Sequence, residues 1–379
     1  MIYLDNAATS WPKPESVYKA MDAFMRNLAA NPGRAGFRMA VEAMRVMEEA
    51  RVLLKEFFQA GPGGKVIFTF NCTDSLNMAL KGILSPGDHV VTSCLEHNSV
   101  SRPLNKLKET GVEYSRVAPD REGFIRPEAV SAAVNSRTRL IVLTHASNVL
   151  GNLQPVQEIG AVARRHGIPF LLDASQTAGV LPISLKEQQV DLLACPGHKG
   201  LLGPPGTGLL IMGKGLEINS LREGGTGSLS EEPRQPAAYP DRLEAGTPNT
   251  VGIAGLKAGI EFINRVGLET IRRHEVNLLH LLTSGIGAIP GVHIYGSQNA
   301  EEQTGLLSFN LEGWDPGELA AVLETEFDIC CRAGLHCAPW AHEFLGTYPA
   351  GCLRLSLSYF TTEADVEKTV EALRAVAGN

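Results

Sequence analysis

Between residues 64 and 212 the chain alternates two patterns of apolar positions. Short runs rich in aliphatic and β-branched residues, KVIFTF (65–70), HVVTS (89–93), VEYSRV (112–117), RLIVLTH (139–145), PFLLDAS (169–175), DLLAC (191–195) and GTGLLIM (206–212), are mostly near-continuous in apolar character. Several are separated by stretches with helical spacing: DSLNMALKGIL, SRPLNKLKETG, PEAVSAAVNS and VQEIGAVARRHG. A strand apolar on both faces must be covered on both, so the pattern predicts an α/β fold with a mostly parallel central sheet between helical layers. Upstream, MAVEAMRVMEEARVLLKEFFQ (39–59) repeats apolar residues at three- and four-residue steps and predicts a long helix against the sheet or a partner subunit.

Residues 213–250 are rich in Gly, Pro and Ser and predict a long functional loop. VGIAGLKAGIEFINRVG then predicts a helix leading into a smaller α+β C-terminal domain. That domain has strands VHIYG, LLSFNL and CLRLSLS and helices DPGELAAVLETEF and EADVEKTVEALRAVA. The expected division is a large domain over 16–255 and a small one over 256–379, with segment 1–15 packing on the latter.

Composition narrows the possible partners. The 379 residues are 44% hydrophobic and 20% charged with net charge −7, so no basic field recruits nucleic acid or anionic lipid. No apolar run reaches membrane-spanning length, and MIYLDNAATSWPKPE lacks the regions of a signal peptide, so a cytoplasmic protein is expected. Seven cysteines without a CxxC pair do not form a disulfide framework. Cys330 and Cys331 end an apolar segment and read as structural. Cys331, His336, Cys337 and Cys352 lack the paired-ligand spacing of a zinc site, so no metal is expected.

Chemistry-capable residues collect at the ends of the predicted strands, where open parallel sheets bind ligands. Asn71, Cys72 and Thr73 follow VIFTF, and Glu96, His97 and Asn98 follow HVVTS. Asn148 follows LIVLTHAS, Asp173 and Gln176 close FLLD, and His198 and Lys199 follow DLLAC. GPPGTG (203–208) opens like a phosphate-binding P-loop but continues with Leu209 and Leu210, where that loop needs Lys and Ser or Thr. The nearby lysine, Lys199, precedes the glycines instead. Pyridoxal phosphate (PLP) chemistry asks for that order: a Schiff-base lysine, an acid to keep the pyridine nitrogen protonated, and an anion site for phosphate. Asp173 can supply the acid, and NCTDSLN places Thr73 as the N-cap of a helix whose free N–H groups suit a phosphate.

With these residues assembled, the chain resembles the class-V, fold-type-I PLP-dependent transferases, and within them the cysteine desulfurases of the Suf-like second group. The blocks carrying the resemblance are YLDNAAT (3–9), EHNS (96–99), SNVLG (147–151), LLDASQ (171–176), GHK (197–199), EAGTPN (244–249), RAGLHCA (332–338) and LRLSLSYFTTEADV (353–366). The resemblance implies that Lys199 holds PLP and moves protons, Asp173 binds the pyridine nitrogen, Gln176 the ring hydroxyl, and that His97 stacks on the ring. It assigns the phosphate to Cys72, Thr73 and His198, with Thr247 reaching in from the second subunit of a homodimer. Asn148, Arg332 and Arg354 would bind substrate, Arg354 through a bidentate fork to its carboxylate. Cys337 would take sulfur from L-cysteine as a persulfide, leaving L-alanine, and pass it to a sulfur-acceptor protein, its thiolate favoured by Arg332 and His336 as cationic neighbours. A selenocysteine lyase shares these residues and stays open as an alternative. Two positions depart from the family. Pro196 stands where a Ser or Thr normally bonds the phosphate, and Phe37 stands where a His is common.

Overall fold

The computed structural model of the chain describes residues 1–33 and 36–378; Arg34 and Ala35, inside the stretch around Phe37, and Asn379 lie outside them. The chain opens with a short strand, β1 (Ile2–Tyr3), and two helices, α1 (Glu15–Asn27) and α2 (Arg38–Phe57). A seven-stranded sheet follows, built from β2 (Lys65–Thr69), β3 (His89–Ser93), β4 (Glu113–Val117), β5 (Thr138–Thr144), β6 (Phe170–Asp173), β7 (Leu192–Pro196) and β8 (Gly208–Met212). Its helices are α3 (Cys72–Ile83), α4 (Asn98–Lys108), α5 (Pro127–Ala133) and α6 (Val156–His166). The strand order is β2-β8-β7-β6-β5-β3-β4, with β8 alone antiparallel to its neighbours. The expected α/β architecture is present, a mostly parallel sheet covered on both faces.

The alternation of buried residues explains why the strands read as continuous apolar runs. Leu140 and Val142 of β5 and Leu192 and Ala194 of β7 pack with α3 and α4 on one face. Ile141 and Leu143, with Leu193 and Cys195, point to the other face, where α2, α5, α6 and α7 (Thr250–Val266) close over them. Successive side chains leave a strand on opposite sides, so a sheet buried twice needs apolar residues at every position.

Residues 213–249 contain no helix or strand. Beyond α7 lie α8 (Leu268–Gly287), β9 (Val292–Tyr295), β10 (Leu306–Leu311), α9 (Pro316–Phe327), β11 (Ile329–Cys330), β12 (Arg332–Gly334), α10 (Pro339–Leu345), β13 (Cys352–Ser356) and α11 (Glu363–Ala377). Four of these strands form an antiparallel sheet in the order β12-β13-β10-β9. Its apolar face meets α8, α9 and α11 around Leu279, Leu282, Phe309, Leu319, Leu355 and Leu373. Leu4 belongs to the same core, and β1 pairs in parallel with β11 (Ile2↔Ile329). The N-terminus is thereby fastened to the C-terminal sheet, beside the carboxyl ends of the large sheet.

Candidate active site

The loops after β2, β3, β5, β6 and β7 meet around a cavity of about 170 Å³. Eight residues singled out from the sequence line it: Cys72, Thr73, His97, Asn148, Asp173, Gln176, His198 and Lys199. Lys199 sits in the turn after β7, whose tight return is set by the Leu202 N–H bond to its carbonyl (2.8 Å). Its ammonium makes no hydrogen bond among the described residues, although it lines the cavity. Burial, with Arg354 nearby, lowers its pKa from 10.5 to about 8, so a neutral amine is accessible at mild pH.

Asp173 ends β6 with one carboxylate oxygen engaged. Oδ1 accepts from the Ser175 N–H (2.9 Å), the Ser175 hydroxyl (2.5 Å) and the Cys72 thiol (3.6 Å). The other oxygen is left for a donor in the cavity. The buried Cys72 thiol joins Asp173 and Ser175, which leaves its backbone N–H, in the first turn of α3, as its donor for a phosphate.

The helix cap also differs from the sequence reading. Asn71, not Thr73, is the N-cap of α3, because its side-chain oxygen accepts from Asp74 N (2.9 Å). Thr73 is the second residue of the helix, with its hydroxyl 2.7 Å from Ser99 Oγ. The first-turn N–H groups of α3 and the Thr73 and Ser99 hydroxyls are donors suited to a phosphate. Pro196 closes β7 beside them and brings no donor.

His97 caps α4: its Nδ1 accepts from the Ser99 N–H (3.0 Å). That bond fixes the lone pair on Nδ1 and the ring proton on Nε2. Burial lowers its pKa to about 4 despite the opposing pull of Asp173, so the ring is neutral. His198 pairs through Nδ1 with Thr9 Oγ1 (3.0 Å), and burial beside Lys199 and Lys13 also lowers it to about 4. Gln176 spends one amide hydrogen on Ala7 O (3.2 Å) and keeps the other. A buried lysine amine, a carboxylate with one free oxygen, an amide donor and a hydroxyl-lined helix terminus form a donor set that fits PLP.

Cys337 is exposed on the loop between β12 and α10, and both it and His336 adopt left-handed backbone (φ +59° and +48°). Arg332 Nη2 lies 3.7 Å from its Sγ, as a cationic neighbour should. His336 does not act this way. It is 2% exposed, its Nε2 bonds Cys352 O (3.0 Å), and burial with Arg354 nearby drives its pKa down to about 2. It is neutral and turned inward.

Asn148 and Arg354, both expected to bind substrate, also bond the protein itself. Asn148 Nδ2 donates to the carbonyl of His336 (2.6 Å), which ties the Cys337 loop to the large sheet. Arg354, 1% exposed, donates through Nη1 to the backbone carbonyl of Asn148 (3.0 Å) and through Nη2 to Asp5 Oδ1 (2.8 Å), while Nε makes no hydrogen bond among the described residues. Its fork is thus partly occupied by the protein itself. Thr247 is exposed and borders a separate, smaller cavity with Phe70, Gly206 and Arg222, so one chain does not bring it to Lys199.

Sequence reading missed Ser99, Ser175, Asp5 and Lys13. Lys13 Nζ bonds Ser10 Oγ (2.7 Å) and His198 O (2.6 Å), bracing the loop that carries Lys199. Asp5 and Lys13 lie in the N-terminal segment, and nothing local in that segment announces a partner nearly 350 residues away.

The aminotransferase class-V family model matches residues 2–369. A probable cysteine desulfurase of Methanothermobacter thermautotrophicus is 35% identical over 100% of this chain and 95% of its own. A cysteine desulfurase of Shigella flexneri is 32% identical over 99% and 93%. Among solved structures, the apo cysteine desulfurase of Thermococcus onnurineus superimposes with a TM-score of 0.93 at 33% identity, covering 100% of this chain and 94% of that one. An Escherichia coli cysteine desulfurase, solved as its S-sulfonic acid, gives 0.88 at 28% identity over 99% and 94%.

Proposed function

Because this chain belongs to the aminotransferase class-V family, we propose that it is a PLP-dependent cysteine desulfurase, converting L-cysteine to L-alanine with the sulfur held on Cys337. The observation that carries this is an exposed cysteine with a guanidinium at its sulfur, on a loop fastened to the Lys199 cavity by Asn148. An aminotransferase or epimerase on the same scaffold has no use for such a thiol. The full-length relatives named as cysteine desulfurases support the reading over a selenocysteine lyase.

Bound in the cavity, PLP supplies an electron sink that stabilises negative charge at the substrate's α-carbon. Lys199 would anchor it, Asp173 would hold its ring nitrogen through the free oxygen, Gln176 its ring hydroxyl, and the α3 terminus with Thr73, Ser99 and His198 its phosphate. Lys199, with its ammonium brought to about 8, can give up and return a proton near neutral pH. His97 presents a neutral ring with the proton on Nε2, able to donate a hydrogen bond into the cavity. Arg332 and the unspent N–H donors of Arg354 would attract the substrate carboxylate, and Cys337 Sγ would receive the sulfur.

We place this enzyme in the cytoplasm as a homodimer in which the partner's loop delivers Thr247 to the phosphate. The apolar residues left exposed along α1 and α2, Tyr18, Met25, Met39, Val41, Met44 and Val52, support the dimer, since a lone chain gains by covering them. A sulfur-acceptor protein would then approach the exposed Cys337.

The deciding experiment treats the protein with L-cysteine and follows alanine release and peptide mass. One extra sulfur on the Cys337 peptide, with alanine production lost by several orders of magnitude in Cys337→Ala, is the expected result. Near-normal turnover by that variant, faster turnover of selenocysteine that ignores it, or extra sulfur on Cys330 or Cys331 would overturn the reading.

A further inference from the structure

Behind the Cys337 loop, outside the Lys199 cavity, three side chains converge that the proposed reaction does not use. His336 comes from the loop, His342 from α10 and Cys352 from the start of β13; one ring nitrogen of each histidine and the Cys352 Sγ lie within 4.8 Å of one another. All three are buried: His336 at 2% exposure, His342 and Cys352 at 0%. His336 Nδ1 and His342 Nε2 have no hydrogen-bond partner.

The opposite nitrogens explain what these two can do. His336 Nε2 lies 3.0 Å from the carbonyl of Cys352, and a carbonyl can only accept, so Nε2 carries the ring proton and Nδ1 presents a lone pair. His342 Nδ1 lies 2.7 Å from Thr347 Oγ1, which can accept its proton and leave the lone pair on Nε2. An imidazole steadied through one nitrogen by a backbone carbonyl or hydroxyl, with the other nitrogen bare, is how proteins present histidine to a metal. The two rings do not satisfy each other: their centroids are 5.9 Å apart and no hydrogen bond joins them. Two buried ring nitrogens without a well-formed hydrogen bond carry a desolvation cost that a ligand between them would relieve, in competition with the Leu335 carbonyl near His342 and the Ser308 hydroxyl near the Cys352 thiol.

We propose that His336 Nδ1, His342 Nε2 and Cys352 Sγ form a three-ligand site for one soft, thiophilic cation, Cu⁺ or Zn²⁺, bracing the loop that carries Cys337. Binding forms two metal–nitrogen bonds and one metal–sulfur bond and releases the Cys352 thiol proton to solvent, with no change of oxidation state. Bonds of about 2.0–2.3 Å place ligand atoms about 3.3–3.8 Å apart, so the cluster closes by about an ångström. Side-chain rotation of His342, on a short helix ending at Gly346, can provide that. Charge separates the two ions. One thiolate makes a Cu⁺ complex neutral, whereas Zn²⁺ leaves a net positive charge near Arg354, itself 1% exposed. A buried uncompensated charge is expensive, so the site favours the monovalent ion.

His342, which the chain brings back to His336 and Cys352 through α10, lies outside the set Cys331, His336, Cys337 and Cys352 whose spacing speaks against a zinc site.

The test uses the holoenzyme, stripped by chelator dialysis, and reads metal, not turnover. Cu⁺ is titrated anaerobically against a chromophoric competitor, and Zn²⁺ likewise, in wild type, Cys337→Ala, His342→Ala and Cys352→Ser. Wild type and Cys337→Ala should hold one equivalent, and the other two variants should bind at least about 100-fold more weakly. X-ray absorption at the bound ion in wild type should report two nitrogen donors and one sulfur, a result independent of whether any variant folds. The proposal is overturned if wild type holds neither ion, if loss of His342 and Cys352 leaves affinity unchanged, if Cys337→Ala abolishes binding, or if the donor set differs.

Discussion

Arg332 and Arg354 are register partners across the antiparallel pair β12–β13. Like charges placed directly opposite on neighbouring strands repel. Asp5 balances Arg354 from one side. Arg332 has only the Cys337 sulfur, so the remaining positive field faces the site where substrate and thiolate meet.

The two arginines should therefore separate in experiment. Arg332 is part-exposed, and Arg332→Ala should leave the melting temperature nearly unchanged. It removes a charge-assisted contact worth about 1.5–3 kcal/mol, so kcat/KM for cysteine should fall about 10- to 100-fold. Arg354 is buried in an ion pair, and Arg354→Ala strands Asp5 and leaves a void, for a loss of about 3–5 kcal/mol of stability. Urea unfolding beside steady-state kinetics checks both. Equal destabilisation by the two substitutions would refute the distinction.

The pH dependence of the cofactor-free protein tests Lys199. Its folded pKa, about 8, lies below the ordinary 10.5. Below pH 8 the folded state carries the cost of a buried ammonium. Between about 8 and 10.5 the unfolded chain binds more protons than the folded one, so stability rises with pH across that window. Lys199→Met should remove this part of the rise and also the visible absorbance of the PLP-loaded protein. Denaturant melts at pH 7.5, 9 and 10 in wild type and variant measure it; identical pH curves would mean that the ammonium is not buried at a cost.

Much of this architecture was legible because it rests on periodicity and strand ends. The two-sided burial of β5 and β7 makes them unbroken apolar runs, and eight of the expected residues do line one cavity. What escaped depended on contacts between distant segments. Helix α8 went unread because Arg272, Arg273, His274 and a buried Glu275 interrupt its apolar spacing. The sequence offers both Asn71 and Thr73 as caps of α3, since Asn and Thr both favour that place, and only the Asp74 N–H bond to Asn71 Oδ1 decides it. His336 looked cationic from its neighbours in sequence, but burial decides the charge of an imidazole.

Pro196 supplies neither N–H nor hydroxyl at the phosphate end, while Thr73, Ser99 and His198 stand around it. If those groups do not fully compensate, Pro196→Ser should retain PLP longer in dialysis, by up to about 1.5–3 kcal/mol of added anion binding. Absorbance of the retained cofactor over time measures it. Equal or faster loss would show that the α3 terminus already saturates the phosphate.

Asn148 offers the sharpest separation of two roles. A substrate-binding asparagine would show its loss in KM. Here one hydrogen of its amide nitrogen goes to the His336 carbonyl at 2.6 Å, and its backbone carbonyl accepts from Arg354. The side chain is a tether between the large sheet and a loop whose residues 336 and 337 sit in the left-handed region. Asn148→Asp keeps size and shape but replaces the donating amide with a second acceptor facing a carbonyl oxygen. The tether then becomes a repulsion, and the loop loses one fixed point on the Lys199 side. Positioning of Cys337 should suffer while the cofactor site stays intact. We expect unchanged PLP absorbance, KM for cysteine within about threefold, and kcat lowered by about 10- to 100-fold, the equivalent of a lost buried hydrogen bond of about 1–3 kcal/mol. Sulfur on the Cys337 peptide should accumulate correspondingly more slowly in single-turnover mass spectrometry. A variant with normal kcat and a large rise in KM would return Asn148 to the substrate carboxylate and remove the tether from the mechanism.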